Sequence, residues 1–141
     1  MDNNAGGPTM TPLTSLTSAL GRIGVGLLFL WSGFGKFANM APNIAYMKAY
    51  GMPMPDVLIW PSALVEFACG AMIILGWKSR WAAAVLFVFT LIATFIFHAY
   101  WSVSAEQVLE TQINFMKNIA AMGGLLLVFS YGSGRYALER S

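Results

Sequence analysis

Charged side chains are scarce in this sequence. Asp, Glu, Lys and Arg make up 10% of the 141 residues, against roughly 25% in an ordinary soluble domain. Hydrophobic residues make up 57%. This composition excludes a water-soluble fold, and the chain is too short for two membrane bundles, so we expect one domain. The net charge of +2, with no basic stripe, indicates no nucleic-acid partner.

Histidine and cysteine are also nearly absent, with one of each. Cys69 alone makes no internal disulfide, CxxC pair or zinc site, so we expect it to fill space in the core. One histidine excludes a bis-histidine haem, and no methionine is clearly opposed to His98 as a second haem ligand. Metal-ligand spacings, nucleotide-binding loops and Ser/His/Asp arrangements are missing too. The sequence therefore argues against haem, metal and nucleotide sites.

Long apolar segments are what the sequence does have, and about 20 such residues suffice to cross a bilayer. The segments are Leu16–Ala38, Val57–Gly76, Trp81–Ala99 and Phe115–Tyr131. We predict an all-α integral membrane protein, a four-transmembrane-helix bundle over residues 16–141 that follows a disordered cytoplasmic leader of residues 1–15. No lysine or arginine precedes Arg22 and no cleavage site follows the first segment, so we expect that segment to be retained.

Two loops on the predicted outer side carry helix signals of their own. Pro42 can open a helix, and Gly51 followed by Pro53 can end it. In the other loop, Ser104 and Gln107 form a capping-box pattern. We predict short external interfacial helices that lie over the outer end of the bundle.

The distribution of lysine and arginine predicts the orientation in the membrane. One side carries Arg22, Lys78, Arg80, Arg135 and Arg140. The other side carries Lys36, Lys48 and Lys117, diluted by Asp56, Glu106 and Glu110. The excess of cations on the first side places both termini in the cytoplasm.

Ionisable residues inside the apolar segments are the main clue to function, because a charge in the hydrocarbon core costs on the order of 2.5–3.5 kcal/mol. They lie on the same helix faces as small residues, which allow close helix packing. The candidate packing glycines are Gly26, Gly33, Gly70 and Gly124. The candidate pocket residues from these stripes are Arg22, Lys36, Glu66, His98 and Lys117. We predict that they meet in a polar pocket that opens to the outer face.

Each candidate also has a structural interpretation. Arg22 lies in the inner half of its helix, where it can extend to the cytoplasmic interface. Lys36, His98 and Lys117 lie near the outer interface and can fill the same role there. Glu66 lies near the middle of the membrane and must be neutral or paired, so it either forms a structural ion pair with Lys36 or Lys117 or belongs to a site that binds or moves something.

The order of short motifs resembles that of the DoxX family, small bacterial four-helix membrane proteins, and within it the YphA-like inner-membrane branch. The motifs are RIGVGLLFLWSGFGKF, AYGMPMP, LVEFACGAMIILGWKSRWAAAVL, HAYW and QINFMKNIAAMGGLLLVFSYGSGRYALER, which together cover about Gly21 to Arg140. The resemblance implies a bacterial inner-membrane location. It also implies recurrent positions at Arg22, Gly33, Lys36, Glu66, Gly70, His98, Lys117 and Asn118.

The resemblance further implies a role near membrane oxidoreductases, because relatives are linked to quinol oxidation and thiosulfate:quinone chemistry. We expect an accessory or quinone-handling subunit of such a system, with quinone as the candidate ligand. In addition to the lipid bilayer, the candidate partners are an oxidoreductase subunit and a second copy of the chain. A small-molecule or proton carrier, and a non-catalytic membrane scaffold, are the alternatives.

Overall fold

The structure, a computed structural model, describes residues 11–139, and within that range it is helical with no strand. The helices are α1 (Pro12–Ala38), α2 (Met40–Ala49), α3 (Pro55–Leu75), α4 (Ser79–Phe97) and α5 (Val108–Tyr131), with a 3₁₀ turn at Tyr100–Ser102. Four of the helical segments, α1, α3, α5 and Ser79–Ser102, are long and apolar enough to cross a membrane. The predicted four-helix membrane fold is confirmed.

Helix α1 begins at Pro12, earlier than the predicted Leu16. Thr11 is its N-cap, and the Thr11 hydroxyl accepts a hydrogen bond from the Thr14 amide at 3.2 Å. A threonine cap followed by proline is a strong start signal that the apolar count alone ignores. Residues 1–10 of the predicted leader lie outside the described residues, and so does Arg140 of the predicted cytoplasmic cation set.

Helix α5 also begins earlier than predicted, at Val108 and not at Phe115. Hydropathy marks the part of a helix that sits in lipid, whereas backbone hydrogen bonding continues through a polar first turn. The predicted capping box is wrong, because Gln107 is the N-cap and makes no side-chain capping bond. The short element in this loop is the 3₁₀ turn.

The four long helices form a ring. Helix α1 packs mainly on α3 and α4 mainly on α5, while α3–α4 and α1–α5 contacts complete the ring. At the α1–α5 contact, a Cβ on Gly124 would lie 2.7 Å from Val25 Cγ2. The interior cluster consists of Phe29, Ile73, Ala82, Ala83, Leu86, Ala121, Leu125 and Val128. Cys69 packs against this cluster, as expected of a core residue.

Glycines allow α1 and α3 to touch through their backbones. A Cβ on Gly33 would lie 2.5 Å from the Phe67 amide nitrogen, and one on Gly70 would lie 2.6 Å from the Leu30 nitrogen. A Cβ on Gly26 would lie 2.9 Å from the Gly70 carbonyl oxygen. Real Cβ atoms do not come so close to backbone atoms, so the contact requires glycine at all three positions. This contact fixes which faces of α1 and α3 oppose each other.

Candidate ligand-binding site

Lys36 and Glu66 form an ion pair between α1 and α3. Lys36 Nζ lies 2.5 Å from Glu66 Oε2, and the Glu66 side chain is 8% exposed. Ser32, one turn before Lys36, accepts from Lys36 Nζ at 3.2 Å and donates to Glu66 Oε1 at 3.1 Å. Between the two candidate partners for Glu66, the structure selects Lys36, whereas Lys117 Nζ donates to Asn114 Oδ1 at 3.3 Å. Both carboxylate oxygens are therefore bonded, which offsets the cost of burying the charge.

The Lys36–Glu66 pair opens onto a cavity of about 290 Å³ between the helices. Its polar lining is Ser32, Lys36, Asn43, Tyr46, Ser62, Glu66, Thr90, His98, Lys117 and Asn118. Its apolar lining includes Leu28, Phe29, Met47, Met52, Ile59, Phe89, Ile92, Ala93, Ile96 and Phe97. Four of the five pocket residues predicted from the helix faces, together with Asn118 from the family pattern, thus lie around one space. An apolar cavity with a few convergent polar groups is the usual form of a small-molecule site.

The wall opposite the ion pair is built from α4 and α5. Asn118 Nδ2 donates to Thr94 Oγ1 at 3.0 Å, and Thr94 Oγ1 donates to the Thr90 carbonyl at 2.6 Å. His98 follows as the C-cap of α4, with its amide donating to the Thr94 carbonyl at 2.9 Å. The Asn118–Thr94 bond joins α5 to α4 beside the cavity, whereas the other two bonds lie within α4 and its cap. His98 is half-buried there and Lys117 is exposed at the cavity's edge.

Helix α2 closes one end of the cavity. The Tyr46 ring stacks on Phe97 of α4 at 5.5 Å between centroids, and Tyr50 meets Phe97 edge-on at 5.4 Å. Met47, buried, faces the cavity from the same helix. Burial, and secondarily the neighbouring Tyr50, raises the pKa of Tyr46, so its phenol stays protonated and can donate a hydrogen bond. The predicted short helix therefore contributes part of the site.

Arg22 lies outside the cavity, so its predicted place in the pocket is wrong. Because it is buried, its predicted place at the cytoplasmic interface is wrong as well. Its side chain is 4% exposed and does not line the cavity. Arg22 Nη1 donates to the carbonyls of Ile73 and Ile74, at 2.5 and 2.7 Å, and Nη2 donates to the Tyr136 carbonyl at 2.5 Å. The guanidinium thus satisfies the open carbonyls at the end of α3 and holds the C-terminal segment against them. Its role is structural.

Sequence reasoning missed Ser32, Asn43 and Tyr46. Ser32 was detectable, since it precedes Lys36 by one helical turn and shares its face. Asn43 and Tyr46 carried no such signal, because α2 is short and its position over the cavity depends on contacts distant in sequence.

The cavity offers mainly hydrogen-bond donors. Lys117, Asn118 and Tyr46 can donate into it, while Glu66 is already occupied by Lys36 and Ser32. Two lysines and one carboxylate give the lining an excess positive charge. Within the part of the chain that the structure describes, no three His, Cys, Asp or Glu side chains come together as metal ligands. The arrangement suits a ligand whose polar atoms are acceptor oxygens.

Comparison with known proteins finds one matching family and relatives that are membrane proteins. The DoxX family profile matches residues 17–99. The chain is 34% identical to the inner membrane protein YphA of Escherichia coli (strain K12) over 122 residues, 86% of each chain. It is 32% identical to the inner membrane protein YqjF of the same organism over 134 residues, 93% of this chain and 95% of that one.

A more distant similarity extends over part of a longer protein. The chain is 31% identical over 86 residues to the Surfeit locus protein 4 homolog of Schizosaccharomyces pombe (strain 972 / ATCC 24843), 57% of this chain and 28% of that protein. No solved structure gives a significant match. The profile match and the two near-full-length relatives, both inner membrane proteins, agree with the four membrane-spanning helices: the chain belongs to the DoxX family.

Proposed function

We propose that the cavity binds the headgroup of a quinone and that the protein is an accessory or quinone-handling subunit of a membrane oxidoreductase system. The observation that carries the proposal is the donor-rich lining beside a carboxylate that is already bonded. A quinone presents two carbonyl oxygens, which accept hydrogen bonds and donate none. Lys117, Asn118 and Tyr46 are donors of the type that such oxygens need.

The apolar part of the lining supports the same ligand. Phe29, Phe89 and Ile59 offer flat and branched surfaces that can enclose a ring, and burial of the ring supplies binding free energy. A site of this kind inside a membrane bundle lies next to the lipid bilayer, in which quinones are dissolved. Electron transfer to or from the quinone is assigned to a partner subunit.

A membrane scaffold is the second candidate function, and one observation favours it. The Lys36–Glu66 pair lies on the same two helices whose backbones meet at Gly33 and Gly70. In a scaffold, this ion pair would hold α1 and α3 in register, and lipid would fill the cavity.

Co-purification tests the proposal. The full chain is solubilised gently, purified, and its bound lipids and quinones are quantified by mass spectrometry against a blank from membranes that lack the protein. Enrichment of quinone in near-stoichiometric amount is expected. Enrichment of another small molecule, followed by uptake in proteoliposomes, would support a carrier, and the absence of any enriched molecule would support the scaffold.

A further inference from the structure

Two residues of α4 belong both to the cavity and to the outer surface of the bundle. Ile92 is 55% exposed and Ile96 is 37% exposed, yet both line the cavity. Val88, one turn before Ile92 on the same helix, is 54% exposed and does not line it. Along α4, the cavity wall therefore reaches the outer surface at Ile92 and Ile96 and not at Val88. Leu28 of α1, 37% exposed, also lines the cavity.

That outer surface faces lipid. Ile92 and Ile96 lie within Ser79–Ser102, a segment long and apolar enough to span the membrane. An exposed isoleucine in such a segment contacts acyl chains. The cavity consequently has a side opening at Ile92 and Ile96, and its lining contains both apolar side chains such as Phe89 and the polar groups of the proposed headgroup site.

The end of the cavity under α2 is covered by aromatic side chains that pack on one another. The stack of Tyr46 on Phe97 joins α2 to α4 across that end, and Tyr50 packs against the same ring. A molecule arriving from that direction must displace aromatic contacts. One arriving along Ile92 and Ile96 must only replace lipid chains.

We infer that the cavity takes a membrane-borne amphiphile with an acceptor headgroup inside and a single apolar tail that leaves beside Ile92 and Ile96 into the bilayer. This inference rests on the proposed headgroup site and adds the route and the shape of the ligand. A tail that remains in lipid throughout loses no hydrophobic stabilisation when the headgroup binds. A tail forced to fold inside about 290 Å³ would compete with the headgroup for space.

Two quinones with the same headgroup test the inference, one carrying a decyl chain and the other a methyl group in its place. Their Kd values are measured for the full chain in lipid nanodiscs and expressed relative to quinone concentration within the bilayer, which removes the effect of partitioning. We expect the two values to agree within about threefold for the wild type, since the decyl tail stays in lipid. Rejection of the decyl form by the wild type would overturn the side opening.

Variants locate the opening. Ile92→Trp should weaken binding of the decyl quinone about tenfold more than binding of the methyl quinone, because the larger side chain narrows the tail's route. Val88→Trp, equally exposed and off the cavity, should change neither. The melting temperature of each variant, compared with that of the wild type, reports whether it is folded. Unchanged decyl binding in Ile92→Trp, or an effect seen instead for Leu28→Trp on α1, would overturn the route along α4. If neither quinone binds the wild type, the proposed headgroup site itself is wrong.

Discussion

Lys36 and Glu66 link α1 to α3 through an ion pair whose nitrogen and oxygen lie 2.5 Å apart. The link stands at the edge of a cavity that also reaches α4 and α5, so one contact serves both the packing of the bundle and the shape of the proposed site. Ser32 bonds both members and fixes their orientation. A change at either charge is therefore expected to act on stability and on ligand binding, and the two effects need separate measurements.

Stability of the Lys36–Glu66 pair can be measured with a double-mutant cycle. Glu66→Gln leaves Lys36 charged and without its carboxylate, and we expect the unfolding free energy to fall by about 3 kcal/mol, the lower end for a broken buried pair. Adding Lys36→Met should restore most of that loss, because no unpaired charge remains. Thermal unfolding in detergent gives the comparison. Adding Lys117→Met in place of Lys36→Met should restore nothing, and a recovery there would show the pair assigned to the wrong lysine.

The α1–α3 contact predicts opposite outcomes for two glycines two residues apart. Gly33→Ala places a Cβ against the Phe67 backbone and should destabilise the bundle by about 1–3 kcal/mol, as overpacking does. A Cβ on Gly35 meets nothing within 4 Å, so Gly35→Ala should be neutral or stabilising by up to about 1 kcal/mol. Equal melting temperatures for the two variants would contradict the close approach of α1 and α3.

Arg22 should matter for stability and for the position of the C-terminal segment. Arg22→Met removes the side-chain donor of the Ile73, Ile74 and Tyr136 carbonyls, of which Ile73 keeps the Gly76 amide, and each lost bond to a charged group costs about 1.5–3 kcal/mol. We expect a lower melting temperature and faster protease cleavage after Tyr131. Arg135→Met, at an exposed arginine, is the control and should change neither. Normal protease resistance in Arg22→Met would mean that other contacts hold the segment.

The cation distribution predicts both termini in the cytoplasm. A C-terminal fusion to a reporter that is active only in the cytoplasm should be active, and the matching periplasmic reporter should be silent. The reverse result would invert the orientation and place the α2 end of the cavity on the cytoplasmic side.

The sequence was sufficient for the membrane spans, because apolar length alone determines what can cross a bilayer. It was also sufficient for Lys36, Glu66 and His98, since ionisable side chains inside apolar segments must avoid lipid. It was not sufficient for the cavity residues contributed by α2. The sequence could not decide between Lys36 and Lys117 as the ion-pair partner of Glu66. That choice depends on how the helices are rotated, which contacts such as Gly33 on Phe67 determine.

Arg22 shows a different limit of sequence reasoning. Its hydrogen-bond partners are backbone carbonyls, which every residue possesses, so no pattern of side chains in the sequence predicts them. A buried arginine and one that extends to the interface look identical in a hydropathy profile.

Quinone bound per protein in the double variant Lys36→Met/Glu66→Gln tests whether the ion pair takes part in ligand binding or only holds α1 and α3 in register. Removing both charges leaves no unpaired ion, so the bundle should keep its fold and near-normal melting temperature. If the cavity is a headgroup site that depends on the Lys36–Glu66 pair, mass spectrometry should find the co-purified quinone of the wild type lost from the folded variant. Full quinone retention by the folded double variant would contradict a role for that pair in binding.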